Sequence, residues 1–256
     1  MAQAKVHDEV LASKGFRGTS NRGVWGDAIQ ELDFSVGEVL STLHKLGIED
    51  NTLVIYVSDN GPQHPDSSTN PLRGRKGQTL EGGMRVPCIM RWPGRIPEGI
   101  VCHETASIMD ILPTFARLIG SEMPTDRVID GKDIWPLMTE ENAKTPHNAY
   151  YYYRGSYGEF QTGDDTSATL TGVRSGSWKL HLGRDGQWAL YNLETDVGET
   201  KDCSKQHEQV RQRLEKMLDQ ARRDLGDKGI RGANVRSLGK VSEKEGQRIG
   251  RIYRGL

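Results

Sequence analysis

Cysteine is scarce in this sequence. Its 256 residues include three cysteines, Cys88, Cys102 and Cys203, and no two of them form a CxxC pair. So sparse and scattered a set excludes a disulfide framework and a cysteine-based zinc site. The small, odd number is compatible with a reducing or an oxidising compartment.

An excess of basic residues is also missing. The chain has 34 Lys and Arg against 35 Asp and Glu, a formal net charge of -1. Nucleic-acid-binding proteins usually carry a basic excess, so we expect no nucleic-acid partner. The mean hydropathy is -0.64, and no apolar run is long enough to cross a bilayer, so the sequence predicts no membrane span.

The first residues, MAQAKVHDEV, lack the apolar segment that a signal peptide needs. Read alone, this start indicates a cytoplasmic chain without a signal peptide. The length and the hydrophobic content of 35% are sufficient for one large domain, alone or with a small appendage.

The first half of the chain combines helical and strand patterns. Apolar residues recur at helical spacing over residues 25–46, and Gly47 follows where a helix commonly ends. Residues 52–57 are a continuous apolar run, which is typical of a strand buried in a parallel sheet. A helix followed by a buried strand is half of a βαβ unit, so the sequence predicts an α/β fold. A further strand is predicted over residues 85–92 and a helix over residues 108–119.

The second half has shorter strand patterns and one amphipathic helix. Strands are predicted at residues 149–154, 170–174, 178–182 and 188–193, and the helix at 207–225. These elements predict a small antiparallel sheet with a helix over residues 146–225. Residues 226–256 are rich in Gly, Lys and Arg, and we expect a poorly ordered tail or an arm that lies on the body.

The strand over residues 52–57 leads into Asp59, Asn60 and Gly61. Carboxylate and amide oxygens are ligands that hard divalent cations prefer, and ligand sites in open α/β sheets lie beyond the carboxyl ends of strands. Gly61 allows the backbone to turn, so both oxygens can converge on one ion. A basic, glycine-rich loop around Lys76 follows and is suited to an anion. The alternative from these residues alone is a plain turn followed by a solvated basic loop.

The order of several motifs resembles that of the sulfatase family. The motifs, as they stand in this sequence, are NTLVIYVSDNGP, LRGRKGQTLEGGMRVPCIMRWPGRIP, SIMDILPTFARLIG, IDGKDIWPLM and LYNLETDVGE. The K-G-x-T-x-E-G-G-x-R combination is the most specific of them, and the branch most resembled contains the arylsulfatases and N-acetylgalactosamine-6-sulfatases. The resemblance implies a partial alkaline-phosphatase-like sheet with flanking helices over residues 1–145. The small sheet-and-helix subdomain, residues 146–225, and the tail, residues 226–256, would follow it.

The resemblance also implies roles for individual residues. Asp59 and Asn60 match the pair that binds an active-site calcium ion, and Lys76 matches the lysine that contacts the sulfate ester oxygens. His7 matches the histidine that binds the substrate sulfate and the bridging oxygen. The prolines usual around that histidine are absent here, so an ordinary surface histidine is the alternative. In such a site, cation and ammonium stabilise charge on the sulfuryl oxygens, and an imidazole can protonate the leaving oxygen.

Other residues near the motifs are expected to have no chemical role. Glu81 and Arg85 are expected to shape the loop, and His64, between prolines, is expected to be a surface histidine. Four further histidines fit no metal-ligand spacing: His103, His147, His181 and His207.

The nucleophile of the family is missing from this sequence. Sulfatases depend on a Cys or Ser in C/S-x-P-x-R that is oxidised to formylglycine, whose hydrate attacks sulfur. No Cys or Ser of this chain stands in that context, and the second Asp pair of the calcium site and the Lys-x-His segment have no counterpart. The chain therefore resembles the C-terminal portion of a sulfatase. We expect it to be inactive alone and to bind calcium weakly, since calcium takes roughly six to eight oxygen ligands.

The implied function is sulfuric ester hydrolysis, on an aryl sulfate or a sulfated sugar, with calcium and formylglycine as the family's cofactors. One alternative is a non-catalytic protein that binds sulfated glycans or other anions. Another is a phosphodiesterase or phosphonate hydrolase of the same superfamily. Family members are usually periplasmic, secreted or lysosomal, in contrast to the start of this chain, so its localisation stays open, as does its oligomeric state.

Overall fold

The structure is a computed structural model that describes residues 12–63, 67–154, 168–183 and 185–235. Its first long element is helix α1, Gly23–Lys45, as the apolar spacing predicts. Gly47 follows with a φ of 65°, a left-handed conformation that favours glycine and ends the helix. The turn before α1 is held by Asp27, whose carboxylate accepts hydrogen bonds from the amides of Gly18 and Ser20, each at 2.8 Å.

Strand β1, Val54–Val57, pairs with strand β2, Cys88–Arg91, in an antiparallel ladder. The sequence identifies both strands, but the prediction of a buried strand in a parallel sheet is wrong for β1. All four of its residues are half-buried, and its only partner among the described residues runs in the opposite direction. The reason is the connection, because the chain folds back through a loop and a short helix rather than crossing over to a parallel position.

Three short helices belong to this half of the chain. Helix α2, Glu81–Met84, lies in the connection between the strands, and helix α3, Ile111–Leu118, follows β2. Pro113 is in the first turn of α3, where proline is tolerated because the amide at that position has no helical acceptor. Helix α4, Trp135–Thr139, completes this half. A small apolar hollow between these elements is lined by Ile55, Met90, Phe115 and Ile134.

One buried carboxylate fastens the segments around α3. Asp110 accepts hydrogen bonds from the amides of Ser107, at 2.7 Å, and Lys132, at 2.8 Å. Its Oδ1 also lies 2.8 Å from Nε2 of His147. His147 therefore has a structural partner, which agrees with the absence of a metal-ligand spacing around it.

The second half contains a four-stranded antiparallel sheet in the order β3-β4-β5-β6. The strands are β3 Tyr150–Arg154, β4 Thr169–Ser175, β5 Trp178–Leu182 and β6 Trp188–Asn192, and helix α5, Glu208–Leu225, packs against β4 and β5. Each of these elements is predicted by the sequence within a few residues. The buried apolar core between sheet and helix consists of Leu170, Val173, Leu180, Leu190, Leu214, Leu218 and Ala221.

Residues 226–235 form an arm on this sheet. They include a short hairpin, β7 Gly226–Asp227 and β8 Ile230–Arg231. Tyr153 Oη donates a hydrogen bond to the carbonyl of Gly226, and the amide of Leu170 donates one to Asp227 Oδ1, both at 3.0 Å. The rest of the expected tail, residues 236–256, lies outside the described residues. Across the described ranges, every helix is too short or too polar to span a bilayer.

Candidate functional site

The turn after β1 is built by close backbone contact. The amide of Ser58 donates to the carbonyl of Pro87 at 3.3 Å, so the ladder continues one residue beyond β1. Asp59 and Asn60 follow, and the amide of Gly61 donates to the carbonyl of Gly83 at 3.0 Å. A Cβ at Gly61 would lie 1.9 Å from the carbonyl oxygen of Gly82. Only glycine fits there, and this contact fixes the position of the preceding pair.

The basic loop is held against the same turn. The amide of Lys76 donates to the carbonyl of Pro62 at 3.1 Å, and the amide of Gly82 donates to the carbonyl of Arg73 at 2.7 Å. A Cβ at Gly82 would lie 2.5 Å from the oxygen of Gly74, and one at Gly83 would lie 2.1 Å from the oxygen of Gln78. The two glycines therefore let three backbone segments meet, which places Lys76 beside the Asp-Asn-Gly turn.

The structure brings together three of the four residues assigned to the site from the sequence. Asp59 is exposed, and Asn60 and Lys76 are half-buried. Within the described part of the chain, the side chains of these residues make no hydrogen bond or ion pair, so their polar groups are available to a ligand. His7 lies outside the described residues, as does His64.

Asp59 and Asn60 have the ligand chemistry that calcium prefers, but two residues are too few to complete a calcium site. Asp59 and Asn60 offer hard oxygen donors at the end of a strand, the ligand type that calcium takes. In the described ranges, no group of three or more His, Cys, Asp or Glu residues is arranged to hold a metal ion. Two protein oxygens would leave most of a calcium shell to water or to groups that lie elsewhere.

Glu81 connects the loop to the small sheet through buried charges. Its Oε1 accepts a hydrogen bond from Lys179 Nζ at 2.9 Å, and its Oε2 lies 3.3 Å from a guanidinium nitrogen of Arg174. Lys179 Nζ also faces Glu199 Oε1 at 2.9 Å, as an ion pair without hydrogen-bond geometry. The amide of Glu81 donates to Glu199 Oε2 at 2.7 Å. We call Glu81, Arg174, Lys179 and Glu199 the ion cluster; its formal charges cancel, as buried charges require.

An aromatic ring closes the ion cluster. The Lys179 ammonium lies 4.3 Å from the ring centroid of Tyr152, a cation–π distance. Burial and the nearby Glu81 carboxylate raise the pKa of Tyr152 well above its usual range, so the phenol stays neutral. Glu81 thus has the structural role expected of it. The side chain of Arg85 is exposed and has no such contact in the part of the chain described.

A second polar chain fastens the loop to the same sheet. Thr79 Oγ1 lies 3.0 Å from Thr171 Oγ1 and 2.9 Å from His181 Nε2. The Thr171 hydroxyl donates to the carbonyl of Tyr152 at 3.1 Å, so Thr79 donates to Thr171 and His181 donates to Thr79. Burial, with the charges of Lys179 and two arginines, lowers the pKa of His181 to about 4. The imidazole is therefore neutral near pH 7.

The last strand of the sheet and the turn after it also touch the basic loop. A guanidinium nitrogen of Arg73 donates to the hydroxyl of Tyr191 at 3.2 Å, and the guanidinium carbon lies 5.5 Å from the ring centroid. A Cβ at Gly198 would lie 2.9 Å from the carbonyl oxygen of Pro71. The LYNLETDVGE motif thus supports the loop that carries Lys76, although the two are far apart in sequence.

The supporting residues were not found by sequence reasoning. Lys179, Arg174, Glu199, Thr171 and His181 received no role, because each contacts the loop only after the sheet has folded. One signal was present for Lys179, since a charged residue inside the apolar strand WKLHL is rarely buried unless it is paired.

Two family models match the sequence. The model described as "Sulfatase" matches residues 3–121, and the model described as "N-sulphoglucosamine sulphohydrolase, C-terminal" matches residues 76–224. Together they cover the candidate site and the sheet that supports it.

Curated relatives include sulfatases of two kinds. The chain is 41% identical to the steryl-sulfatase of Mus musculus over 161 residues, which are 59% of this chain and 26% of that protein. It is 41% identical to the N-acetylgalactosamine-6-sulfatase of Mus musculus over 197 residues, 75% of this chain and 35% of that protein. The chain thus spans about a third or less of the length of these relatives.

Two solved structures share the fold. The PsFucS1 sulfatase from Pseudoalteromonas sp. is 28% identical, with a TM-score of 0.71, over 84% of this chain and 46% of that chain. Ps i-CgsB is 24% identical, with a TM-score of 0.75, over 98% of this chain and 53% of that chain. These likenesses confirm the predicted α/β fold class, with its alkaline-phosphatase-like portion followed by a small antiparallel sheet and a helix.

Proposed function

Because this chain belongs to the sulfatase family, we propose that it forms the wall of a sulfuric ester hydrolase site that binds calcium and the ester's sulfuryl oxygens. The observation that carries the proposal is the backbone contact among the Asp-Asn-Gly turn, the basic loop and the two buried glycines. This contact brings the backbone of Lys76 next to the turn that carries Asp59 and Asn60, and no described residue engages the side chains of these three residues.

Lys76 is the residue that we assign to the sulfate ester. Its ammonium is a compact charge with several donors, suited to the oxygens of a sulfuryl group. As the bond to the leaving oxygen breaks, negative charge shifts among these oxygens. A positioned cation lowers the energy of that charge more in the transition state than in the ground state. Binding and charge stabilisation are therefore the expected contributions of Lys76.

Asp59 and Asn60 are the residues that we assign to calcium. A bound calcium ion would supply further electrostatic stabilisation of the sulfuryl oxygens. With one carboxylate and one amide, the pair carries a single negative charge, so we expect weak affinity in this chain alone. His7 is retained as the candidate for contact with the sulfate and the bridging oxygen, and it lies outside the described residues.

We propose that this chain by itself does not turn over sulfate esters. None of its Cys or Ser residues stands in the C/S-x-P-x-R context from which formylglycine is made. We further propose the division into a catalytic-domain portion, residues 1–145, a sheet-and-helix subdomain, residues 146–225, and a tail, residues 226–256. The substrate is a sulfate ester, of an aryl alcohol or a sugar.

A second candidate function is the binding of sulfated glycans without turnover. It is favoured by the combination of an available Lys76 with no recognisable nucleophile in the sequence. A similar structure, Ps i-CgsB, has been solved in complex with k-i-k-neocarrahexaose, a saccharide bound by that protein. In this alternative, the same loop binds the sulfate group of a sugar and releases it unchanged.

Turnover assays separate these functions. The full chain with calcium should not hydrolyse 4-nitrophenyl sulfate above background, and co-expression with a polypeptide carrying C-x-P-x-R should produce turnover that Lys76→Ala lowers strongly. Lys216→Ala, an exposed lysine on α5, is the control and should leave turnover unchanged. Turnover by the chain alone would overturn its proposed inactivity. No turnover with the partner, together with sulfate binding that depends on Lys76, would favour the glycan-binding function.

A further inference from the structure

The segment that follows Lys76, residues 79–83, packs against strands β4 and β5 of the small sheet. Every residue of the segment from Thr79 to Gly83 is at least half-buried, and Glu81 is 1% exposed. Its two polar side chains, those of Thr79 and Glu81, both point to strands β4 and β5, where they meet Thr171, His181, Arg174 and Lys179. The loop that carries the candidate site therefore rests on a different sheet from β1.

Lys179 is the central member of this support. Its side chain is fully buried, and its ammonium lies 2.9 Å from carboxylate oxygens of both Glu81 and Glu199. Glu199 is also fully buried and has a φ of 54°, which is uncommon for a residue with a side chain. Backbone held in this conformation needs support from its surroundings, and here Glu199 uses its other oxygen to fix the amide of Glu81.

The position of Glu81 is transmitted directly to the site. Gly82 and Gly83 follow it, and they bond to Arg73 and Gly61 with no room for a side chain. A shift of Glu81 would move Gly82 and Gly83, and so displace both the turn of Asp59 and the loop of Lys76. Packed backbone transmits such a displacement because it has no void in which to relax.

We propose that Lys179 and Glu199 are positioning residues for Lys76: through Glu81 they fix the backbone of residues 81–83, and thereby the geometry of the anion-binding loop. The two residues act at a distance and do not touch the substrate. The part of this inference that concerns sulfate rests on the proposed function; the part that concerns the loop backbone does not.

A charge-balanced double variant tests the inference. Lys179→Met/Glu199→Gln removes one positive and one negative charge, leaves Glu81 paired with Arg174, and keeps an amide oxygen at position 199 to accept from the Glu81 amide. The full chain is compared by residue-resolved hydrogen exchange. For the amides of Gly61, Lys76 and Gly82, we take the exchange rate relative to that of the β4 and β5 amides. We expect this ratio to be at least tenfold higher in the double variant than in the unmodified chain.

The control is Leu218→Ala in the core between the sheet and α5. It lowers the stability of the small sheet without touching the loop, so the exchange of loop and sheet amides should change by the same factor. If the double variant shows the same parallel change, or no change, the positioning role is wrong. If the double variant does not fold, Glu199→Gln alone is measured, because it removes the ion pair with Lys179 and keeps an acceptor for the Glu81 amide. It must give the same selective tenfold increase; a parallel change or no change there also refutes the inference.

Titration with sodium sulfate separates this inference from the proposed function. The double variant should bind sulfate at least fivefold more weakly than the unmodified chain, and Leu218→Ala should bind it with unchanged affinity while folded. Sulfate binding that Lys76→Ala does not affect would refute the proposed function and leave the exchange result to judge the positioning role. Binding that depends on Lys76 but is unchanged in the double variant would refute the positioning of Lys76.

Discussion

The backbone amide of Glu81 donates a 2.7 Å hydrogen bond to Oε2 of Glu199, a residue 118 positions further along the chain. This bond joins the segment that supports the candidate site to the turn after β6. It lies beside an ammonium that both carboxylates share. The small sheet is thus part of the architecture of the site, and changes within it should reach Lys76.

Glycine at position 83 is required by close packing. In Gly83→Ala, the new Cβ would lie 2.1 Å from the carbonyl oxygen of Gln78, so the loop must move. We expect a loss of roughly 2 kcal/mol or more in the free energy of unfolding, measured by urea titration, as overpacking of a buried site typically costs. Gly37→Ala is the control, because this exposed position in α1 has nothing within 4 Å of the new Cβ. Gly37→Ala should raise the free energy of unfolding by up to about 1 kcal/mol. Equal effects of the two substitutions would contradict the packing argument.

Removal of the Lys179 ammonium alone should lower the free energy of unfolding more than removal of Lys179 and Glu199 together. Lys179→Met leaves Glu199 as an unpaired buried carboxylate, for which we expect a loss of about 3 to 5 kcal/mol in unfolding free energy. Lys179→Met/Glu199→Gln should recover a large part of that loss, because no uncompensated charge remains. Urea denaturation of both variants measures the difference. A double variant less stable than Lys179→Met would show that the charges are not coupled in this way.

Acid should weaken the fold through His181. Its pKa is lowered to about 4, chiefly by burial and then by Lys179, whereas an unfolded histidine titrates near 6.5. Between pH 4 and pH 6.5, His181 is protonated in the unfolded state but neutral in the folded state. The fold therefore has its full stability with respect to His181 above about pH 6.5. This contribution is lost as the pH falls toward 4, by about 2 kcal/mol between pH 7.5 and pH 5. His181→Gln should lack this component, so the stability difference between the two proteins should change with pH. A difference that is constant from pH 7.5 to 5 would refute the assignment.

Sequence patterns were sufficient for most of the helices and strands. Helix α1, the strands of the small sheet and the positions of β1 and β2 follow from hydrophobic periodicity and from the turn residues between them. The direction of pairing of β1 did not, because a continuous apolar run fits either a parallel or an antiparallel neighbour. The assignment of Asp59, Asn60 and Lys76 to the site came from motif order and stays a prediction, whereas the contacts of Lys179 and Glu199 with the loop were missed. Their role depends on which strands become adjacent, and that is a property of the tertiary fold.

Calcium binding should depend on the carboxylate at the end of β1. Asp59→Asn removes the only negative charge of the pair, so the calcium affinity of the chain, expected at about millimolar dissociation constants or weaker, should fall below detection. Asp50→Asn, another exposed aspartate, is the control and should bind calcium as the unmodified chain does. Calorimetric titration with calcium chloride measures both. Loss of binding in Asp50→Asn but not in Asp59→Asn would place the ion elsewhere.

The central claim is that Lys76 binds the sulfuryl oxygens of a sulfate ester. Calorimetric titration of sodium sulfate, at fixed ionic strength and with millimolar calcium, tests it most directly on the unmodified chain, Lys76→Ala and Lys216→Ala. We predict binding to the unmodified chain and to Lys216→Ala with the same affinity, and at least tenfold weaker binding to Lys76→Ala. Identical titrations of all three proteins would contradict the assignment of Lys76 to the sulfate.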